Sequence, residues 1–264
     1  MIPFSFSFFK TVGSSLEPET IDWLAQVTPQ PSNQFIIDLN NFIISLKSFG
    51  IFSLLDRLWI HATEYQQHAR VSIVNPTSPQ SIEYNSPTWT PNIGYTGNGL
   101  NMYINLNYNI YTDGVNYTQN NALRGLYSIV DTTSSGGHGS YNNSVDNTSY
   151  IRYSDGYGYF GVNSTLGECY GTLSDSLGLF TAERTSPTIQ QFKQNGIVKS
   201  VYGLNTNTSL ANIQEYLLAI NIGGGPDQHS THTIAITLYG SGNIDTLGLY
   251  SSIQAFATAR GFNV

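Results

Sequence analysis

Acidic side chains are the first residues of this sequence to examine for chemistry, because hydrolysis of a glycosidic bond needs two carboxyl groups about 5–9 Å apart. Residues two apart on a strand share a face, so acidic residues at i and i+2 or i+4 would indicate such a site. The predicted strands contain no such pair, and Glu183 and Glu168 each stand alone. Asp146 and Asp155 lie in turn-rich segments, where aspartate usually stabilises a local turn. We therefore expect no enzymatic activity and no catalytic residues.

Histidine and cysteine provide little sign of a metal or cofactor site. His229 and His232 have the spacing H-x-x-H, which on a helix can supply half of a metal site. Here they follow the loop Gly223–Pro226 and precede a predicted strand, so we expect two loop histidines and no metal. Cys169 is the one cysteine of the sequence and has no basic neighbour. The segment Asp131–Gly139 lacks the Gly-Lys-Ser/Thr end of a phosphate loop, so no cofactor is expected.

Tyrosines in the middle of the chain favour binding over catalysis. Sugars are held by flat aromatic rings and by amide or carboxylate groups at their hydroxyls. A tyrosine-rich sheet surface or subunit interface is the alternative interpretation, because tyrosine is common at interfaces. Tyr170 and Asn147 lie close in sequence to the candidates. The candidate ligand-binding residues are Tyr150, Tyr153, Asp155, Tyr157, Tyr159 and Asn163.

The charge balance excludes some classes of partner. Only 10% of the 264 residues are charged, against about 25% in an average domain. The net charge is −7, and the ten lysines and arginines are scattered, whereas nucleic-acid binding needs a positive field. No apolar run reaches about 18 residues, so no membrane insertion is expected. A neutral polymer or another protein is the more natural partner.

The elements that would position these residues begin with an arm and a helical segment. Residues 1–16 form the predicted arm, in which phenylalanines alternate with serines as in a strand. This arm is either an edge strand of the chain's own sheet or a segment that docks onto a neighbouring subunit. Residues 17–68 are predicted to form an attachment segment of helices, the third from Phe52 to about Ala62. The predicted assembly residues are Phe4, Phe6, Phe8, Phe35, Leu39 and Phe42.

From residue 69 to residue 264 the pattern changes to short strands with Gly, Pro, Asn and Asp between them. This spacing predicts an antiparallel sandwich or barrel. Asn195-Gly196 has the composition of a two-residue hairpin turn. A closing helix is predicted, capped by Asn243 or Asp245 and ended by Gly261. The predicted strands include Val71–Val74, Met102–Leu106, Gly125–Val130, Ser149–Tyr153, Tyr157–Val162, Leu177–Arg184, Ile189–Lys193, Ile197–Val201, Tyr216–Ile222 and Thr233–Tyr239.

Five segments together carry a resemblance to a known group of proteins. Phe35–Ile51 and Gly94–Asn105 resemble segments of phage and prophage structural proteins. Phe192–Val198 and Tyr216–Gly223 resemble a hairpin and the next strand of concanavalin A-like lectin domains of the laminin-G type. Ser251–Gly261 resembles the helix that ends many of these phage proteins. The matches occur in the same order as in that family and cover most of the chain.

This resemblance implies a mainly β fold, a concanavalin A-like antiparallel jelly-roll β-sandwich with an N-terminal helical segment and a C-terminal helix. It also implies a non-enzymatic structural component of a bacteriophage virion, displayed on the particle surface as a capsid-decoration, head-fibre or tail-fibre protein. Expected partners are other virion proteins and, through the apolar helical stripes, further copies of this chain. One alternative is an adhesin that binds host surface glycans, and a second is a glycan hydrolase. The segment Thr112–Ser176 departs from the family pattern.

Overall fold

Turn residues divide most of the chain into short runs of β-branched and aromatic residues, which suit a pleated and half-buried surface. The computed structural model describes residues 15–165, 167–203 and 209–264. In it, these runs form two sheets that pack face to face around a shared apolar core. The predicted fold class, a mainly β antiparallel sandwich with a C-terminal helix, is confirmed.

One sheet lies in the middle of the molecule, and we call it the covered sheet. Its strands, in spatial order, are β13 (Ile197–Gly203), β12 (Ile189–Gln194), β11 (Gly178–Ser186), β6 (Ala122–Ser128), β17 (Thr233–Gly240), β4 (Gly94–Thr96) and β3 (Thr88–Thr90), and β1 (Leu55–Ile60) also pairs with β17. Every pairing in this sheet is antiparallel.

We call the second sheet the open sheet, because no helix layer covers its outer face among the described residues. Its strands, in spatial order, are β10 (Cys169–Thr172), β9 (Tyr157–Phe160), β8 (Val145–Tyr150), β7 (His138–Asn142), β14 (Gln214–Leu217), β5 (Tyr103–Asn109) and β2 (Ile82–Tyr84), and β15 (Ile220–Ile222) joins β7 to β16 (Gly225–Asp227). The pairing of β15 with β7 is parallel, and the others in this sheet are antiparallel.

Helices form a third layer, on the outer face of the covered sheet. The α-helices are α1 (Pro18–Leu24), α2 (Asn33–Ser48), α3 (Ile110–Asp113) and α4 (Thr246–Arg260), and two 3-10 turns lie at Phe52–Leu54 and His68–Arg70. Apolar side chains of α1, α2 and α4 share one core with Leu58, Leu123 and Leu238 of the covered sheet. The central strands of the covered sheet are therefore buried on both faces, whereas the edge strand β13 is largely exposed.

The apolar stripe of α2 belongs to this internal core, which corrects the prediction that it serves assembly. Phe35 and Leu39 have no exposed surface and Phe42 is 2% exposed. The Phe42 ring stacks on Phe256 of α4 with the ring centres 5.0 Å apart. Because these side chains are already covered within the chain, they supply no surface for a partner. The other predicted assembly residues, Phe4, Phe6 and Phe8, lie outside the described residues.

The predicted third helix, Phe52 to Ala62, is wrong, because most of this segment is strand β1. Leu58 packs against the helices, whereas Trp59 packs into the core between the sheets. A strand that is buried on both faces need not alternate apolar and polar residues, and β1, in which even Asp56 and Arg57 are buried, shows no such alternation. β1 thus adds to the covered sheet a segment that was predicted to precede the sandwich.

Most predicted strands from residue 102 onward are confirmed, as are the punctuating residues. Asn195 and Gly196 have φ of 55° and 76°, as the predicted hairpin turn requires. Asp245 caps α4, its Oδ1 accepting hydrogen bonds from the N–H groups of Leu247 (3.1 Å) and Gly248 (3.1 Å). Gly261 ends α4 in the left-handed conformation, φ 75°.

Three strand predictions need correction. The predicted strand Ser149–Tyr153 is shifted, because β8 runs from Val145 to Tyr150. Val71–Val74 forms no strand, although the N–H of Ile73 donates to the carbonyl of Leu58 (2.7 Å). The run Tyr216–Ile222 is divided into β14 and β15 by Leu218, which has a φ of 66°. Within the described ranges, every helix is too short or too polar to cross a lipid bilayer.

Candidate functional site

A row of tyrosines crosses three neighbouring strands on the outer face of the open sheet. Tyr170 of β10 lies directly opposite Tyr159 of β9, and Tyr159 lies opposite Tyr150 of β8. Directly opposed residues of antiparallel strands point to the same face. The alternation of the strands therefore places three phenol rings side by side.

Two further tyrosines extend this row into an aromatic surface. Tyr157 is two residues before Tyr159 on β9, and its ring centre lies 6.2 Å from that of Tyr170. Tyr153 contacts Tyr150 and Tyr159 at ring-centre distances of 5.8 and 5.9 Å. The exposed fraction is largest for Tyr170, at 55%. We call Tyr150, Tyr153, Tyr157, Tyr159 and Tyr170 the tyrosine surface.

Asp155 fixes one ring of the tyrosine surface. The turn that joins Tyr153 to Tyr157 requires a φ of 85° at Gly156, which glycine adopts without strain. Asp155 Oδ1 accepts the N–H of Tyr157 (3.0 Å), and Oδ2 accepts the Tyr159 hydroxyl (2.6 Å). These bonds hold the pKa of Asp155 below its usual range, and the carboxylate raises the pKa of Tyr159 to about 12. At neutral pH the site thus contains an ionised carboxylate and a neutral phenol.

The prediction that Asn163 contacts a ligand is wrong, because its side chain is fully buried. Its Oδ1 accepts the Tyr117 hydroxyl (3.1 Å), and its Nδ2 donates to the carbonyl of Gln119 (3.2 Å). Asn163 therefore ties the chain after β9 to the interior of the sandwich. The other predicted residues, the four tyrosines and Asp155, do come together on one surface.

Asp146 and Glu168 meet on the same face, which the sequence did not reveal. Thr148 lies between them, with its Oγ1 2.5 Å from Asp146 Oδ1 and 2.8 Å from Glu168 Oε1. Thr148 precedes Tyr150 by two residues on β8, and Glu168 precedes Tyr170 by two residues, so both side chains share the face of the tyrosine surface. Asp146 Oδ1 and Glu168 Oε1 both contact this one hydroxyl oxygen, so the distance between them cannot exceed the sum of these two distances.

One hydroxyl has a single proton to donate, so it can satisfy only one of two ionised carboxylates at a time. Burial raises the pKa of Asp146 to about 6. Burial and the neighbouring Asp146 charge raise the pKa of Glu168 to about 7. At a pH between these two pKa values the pair holds a proton. A protonated carboxyl group can donate a hydrogen bond to the Thr148 hydroxyl oxygen. We call Asp146 and Glu168 the acid pair.

Glycine leaves the room that the acid pair occupies. A Cβ at Gly161 would lie 2.5 Å from Asp146 Oδ1, so any side chain there would displace the carboxyl group. A pattern of acidic residues along one strand does not reveal this pair. Asp146 and Glu168 lie on β8 and before β10, and β9 separates them in the sheet. Only the pairing of the three strands brings the two carboxyl groups together.

A buried polar network holds β8 from the inside of the sandwich. Asn147, between the two outward residues Asp146 and Thr148, donates from Nδ2 to Glu215 Oε1 (3.0 Å) and accepts the Tyr117 hydroxyl (2.6 Å). Burial raises the pKa of Glu215, which also accepts hydrogen bonds from other buried groups. This network is out of reach of a ligand and fixes the strand that carries the acid pair.

A second group of aromatic residues lies on the same outer face, toward the other edge of the open sheet. Tyr84 and Tyr103 stack in parallel planes with centres 4.6 Å apart, and Tyr103 lies 4.8 Å from Tyr216. Tyr216 is opposite Gly139, which is opposite Thr148, so all three strands present the same face here. We call Tyr84, Tyr103 and Tyr216 the distal tyrosine group.

Two depressions of the structure lie apart from the tyrosine surface. A depression of 380 Å³ lies between α1 and residues 73–77, and one of 580 Å³ lies beside Arg57 and Gln214. His232 is buried and its Nδ1 lies 2.9 Å from the Ser230 hydroxyl. In the part of the chain that the structure describes, no three His, Cys, Asp or Glu side chains are grouped as metal ligands.

Comparison with known proteins finds similarity of structure and not of sequence. No protein-family model matches the chain, and no curated protein matches it. A Trypanosoma rangeli sialidase in complex with sialic acid has a TM-score of 0.50 at 10% identity, over 86% of this chain and 39% of the sialidase. The HCR/D W1238A mutant has a TM-score of 0.50 at 12% identity, over 76% of this chain and 52% of that one.

Domain 4 of AbnA, a GH43 extracellular arabinanase from Geobacillus stearothermophilus in complex with arabinotriose, has a TM-score of 0.41 at 11% identity, over 74% of this chain and 99% of that domain. At such identities a likeness shows the fold alone. The chain spans only 39% of the sialidase that it resembles.

The prediction that the chain is not an enzyme is contradicted by these comparisons. The solved structures of similar fold include a sialidase, so a fold of this kind occurs within glycan-hydrolysing proteins. The second ground for the prediction was the lack of an acid pair along any strand, and Asp146 and Glu168 supply one across strands. The lack of an acid pair therefore no longer argues against catalysis.

Proposed function

We propose that this chain is a glycan-recognition protein whose binding site is the tyrosine surface of the open sheet. The observation that carries the proposal is the row Tyr170, Tyr159 and Tyr150, which lies on one outer face with carboxyl groups between and beside the rings. Flat phenol rings pack against the apolar faces of sugar rings, and carboxylate oxygens accept sugar hydroxyls. The structural likeness to a sialidase in complex with sialic acid also supports it.

The alternative, a subunit interface, fits this surface less well. An interface would remove Asp146, Glu168 and Asp155 from water, and burying carboxylates without a cationic partner is costly. A polyhydroxylated ligand avoids that cost, because its hydroxyls replace the water that the carboxyl groups lose. The charges of the site therefore favour a glycan over a protein surface.

A glycan array followed by calorimetry tests the proposal. We expect binding to at least one glycan, and a loss of at least about 10-fold in affinity for Tyr159→Ala and for Tyr170→Ala, since each removes a stacking ring. Tyr111→Ala is the matched control, because Tyr111 is 58% exposed on α3, away from the tyrosine surface. Absence of glycan binding, or equal losses in all three variants, would refute the proposal.

Glycoside hydrolysis is a second candidate function, and the acid pair favours it. Retaining glycosidases place two carboxyl groups about 5 Å apart, one protonated as the acid and one ionised as the nucleophile. A Glu168 carboxyl with its pKa raised to about 7 suits the acid, and Asp146 suits the nucleophile. In the reaction Glu168 would give its proton to the leaving oxygen while Asp146 attacks the anomeric carbon, and water would then release the sugar.

Release of reducing ends from a bound glycan tests this second candidate. We expect Asp146→Asn and Glu168→Gln each to reduce the rate at least about 100-fold, because each removes one partner of the acid–nucleophile pair. Asp22→Asn, on the exposed side of α1, is the control and should leave the rate unchanged. If a glycan binds but the wild type releases no reducing ends, the site is a binding site without this activity.

A place on the surface of a virus particle, implied by the resemblance to phage structural proteins, stays a prediction. So do the contacts with other virion proteins and the homo-oligomer. Electron microscopy of particles labelled through the C-terminus tests the location, and sedimentation of the purified chain tests the oligomer. Label on the particle surface would support this location, and its absence from purified particles would refute it.

A further inference from the structure

The charged groups at the tyrosine surface are of one sign. Asp146 and Glu168 lie on its face, and Asp155 is bonded to one of its rings. Between residues 138 and 176 the sequence contains one lysine or arginine, Arg152. Its Nη1 donates to Asp131 Oδ1 at 2.6 Å, so its charge is already paired.

Seven of the remaining described cations lie away from the tyrosine surface, whereas Lys199 lies on β13, which packs beside β10. Arg124 and Arg184 are buried beneath the sheets. Five others lie in ion pairs or over a ring away from the tyrosine surface: Lys47, Arg57, Arg70, Lys193 and Arg260. Lys199 forms no ion pair among the described residues, and it lies on β13, at the edge of the covered sheet. An experiment must therefore separate the effect of Lys199 on ligand binding from the effect of the carboxyl groups.

Some of the hydrogen-bond donors at the surface are committed to its own acceptors. The Tyr159 hydroxyl donates to Asp155, and the Tyr150 hydroxyl donates to Gln228 Oε1. The Thr148 hydroxyl is shared by the acid pair. The surface thus offers carboxyl and phenol oxygens as acceptors, and its remaining donors are uncharged phenol hydroxyls, which suits neutral ligands that bring O–H or N–H donors.

A sugar that carries a carboxylate or sulfate needs a cationic partner, and at this surface it would meet carboxylates instead. Such groups are usually held by arginine through paired N–H donors, and no described arginine is free to do this here. Its charge would also lie beside carboxylates in a partly desolvated site, where like charges repel strongly. The burial that raises the pKa of Glu168 is a sign of that low effective dielectric constant.

We infer that the tyrosine surface selects uncharged sugars and amino sugars and rejects sugars bearing a carboxylate or sulfate. This inference rests on the proposed function, since it names the ligand class of the same site. Sialic acid, the ligand bound in the structurally similar sialidase, carries a carboxylate and so belongs to the class that this surface is expected to reject.

The test compares a neutral oligosaccharide that binds with its counterpart oxidised to a uronic acid at one terminal sugar. At pH 8 we expect the acid to bind at least about 10-fold more weakly at low salt. The ratio should shrink as salt rises from about 0.01 M to about 1 M, because the Debye length falls from ~30 Å to ~3 Å. Equal or tighter binding of the uronic acid would overturn the inference while leaving the proposed function intact.

Variants assign the discrimination to the acid pair. In the double variant Asp146→Asn, Glu168→Gln, whose side chains keep their shape, the neutral-to-acidic ratio should fall at least about threefold. In Lys199→Gln the ratio should stay the same or rise, and a large fall there would contradict the account. Binding of neither sugar by the wild type would instead refute the proposed function itself.

Discussion

The two outer faces of the sandwich carry side chains of different kinds, and the two faces differ in how far the rest of the chain covers them. The face of the covered sheet presents Leu58, Leu123 and Leu238, which α1, α2 and α4 cover completely. The face of the open sheet presents tyrosines, of which Tyr170 remains 55% exposed. Leucine has no polar atom and must be covered, whereas a phenol tolerates water at its hydroxyl. The face that the chain leaves open is therefore the one fitted for a ligand.

The largest expected effect is on the covered face. Phe35→Ala removes a fully buried ring that packs among Trp23, Phe256 and the Arg260 guanidinium. We expect the free energy of unfolding to fall by about 3–5 kcal/mol, from lost burial and the remaining cavity. Urea denaturation measures it. A loss below about 1 kcal/mol would mean that this layer does not support the fold as the contacts indicate.

The open face should respond in the opposite way. Tyr159→Ala and Tyr170→Ala should lower glycan affinity by at least about 1.4 kcal/mol, the equivalent of a 10-fold loss, while the free energy of unfolding changes by less than about 1 kcal/mol. Calorimetry and urea denaturation on the same samples give both values. If these variants unfold as readily as Phe35→Ala, the tyrosine surface is part of the core and the contrast between the faces fails.

The acid pair on the open face should make the free energy of unfolding depend on pH, which gives a further way to test the contrast between the two faces. The pKa values of Asp146 and Glu168 are raised from 3.8 and 4.5 to about 6 and about 7. Between these limits the folded chain binds more protons than the unfolded chain, so its stability must fall as pH rises toward 7. Because one pKa unit corresponds to about 1.4 kcal/mol, we expect this pair to contribute a loss of a few kcal/mol between pH 4 and pH 8. Urea midpoints against pH measure it.

The double variant Asp146→Asn, Glu168→Gln is the control for this pH effect. Because neither amide titrates, the fall in stability over this window should be smaller than in the wild type by the contribution of the pair. Stability that rises with pH in the wild type, relative to the double variant, would show that the two carboxyl groups are not destabilised by burial.

The smallest expected effect concerns the distal tyrosine group. If one ligand spans the face of the open sheet, Tyr84→Ala should weaken a long oligosaccharide by roughly two- to fivefold, the value of one partly exposed ring. It should leave the affinity of a disaccharide unchanged, because a short ligand is held at the tyrosine surface alone. Calorimetry with oligosaccharides of increasing length measures this difference. Equal effects on long and short ligands would count against a continuous binding face.

Much of the fold could be predicted from local signals. Asn195, Gly196 and Gly261 have the positive φ angles that few other residues adopt, and Asp245 has the short side-chain acceptor that a helix cap needs, so these predictions were confirmed. The tyrosines Tyr157 and Tyr159 share a face because they are two residues apart on one strand. These are properties of short stretches of sequence.

What could not be predicted depends on which strands pair. Leu58 and Trp59 looked helical because β1 is buried on both faces. Asn163 looked like a surface amide, yet the chain after β9 turns it into the sandwich. Asp146 and Glu168 meet only because β8, β9 and β10 are neighbours. No spacing within a single strand reports such a contact, so the exclusion of catalysis drawn from spacing did not hold.

The most direct test of the account is a crystal structure of the chain with a neutral oligosaccharide bound. The account predicts a sugar ring stacked on the phenol rings of Tyr159 and Tyr170, with sugar hydroxyls donating to carboxyl groups of Asp155 or the acid pair. A sugar bound at the helix layer or in the depression beside Arg57, with the tyrosine surface empty, would contradict it.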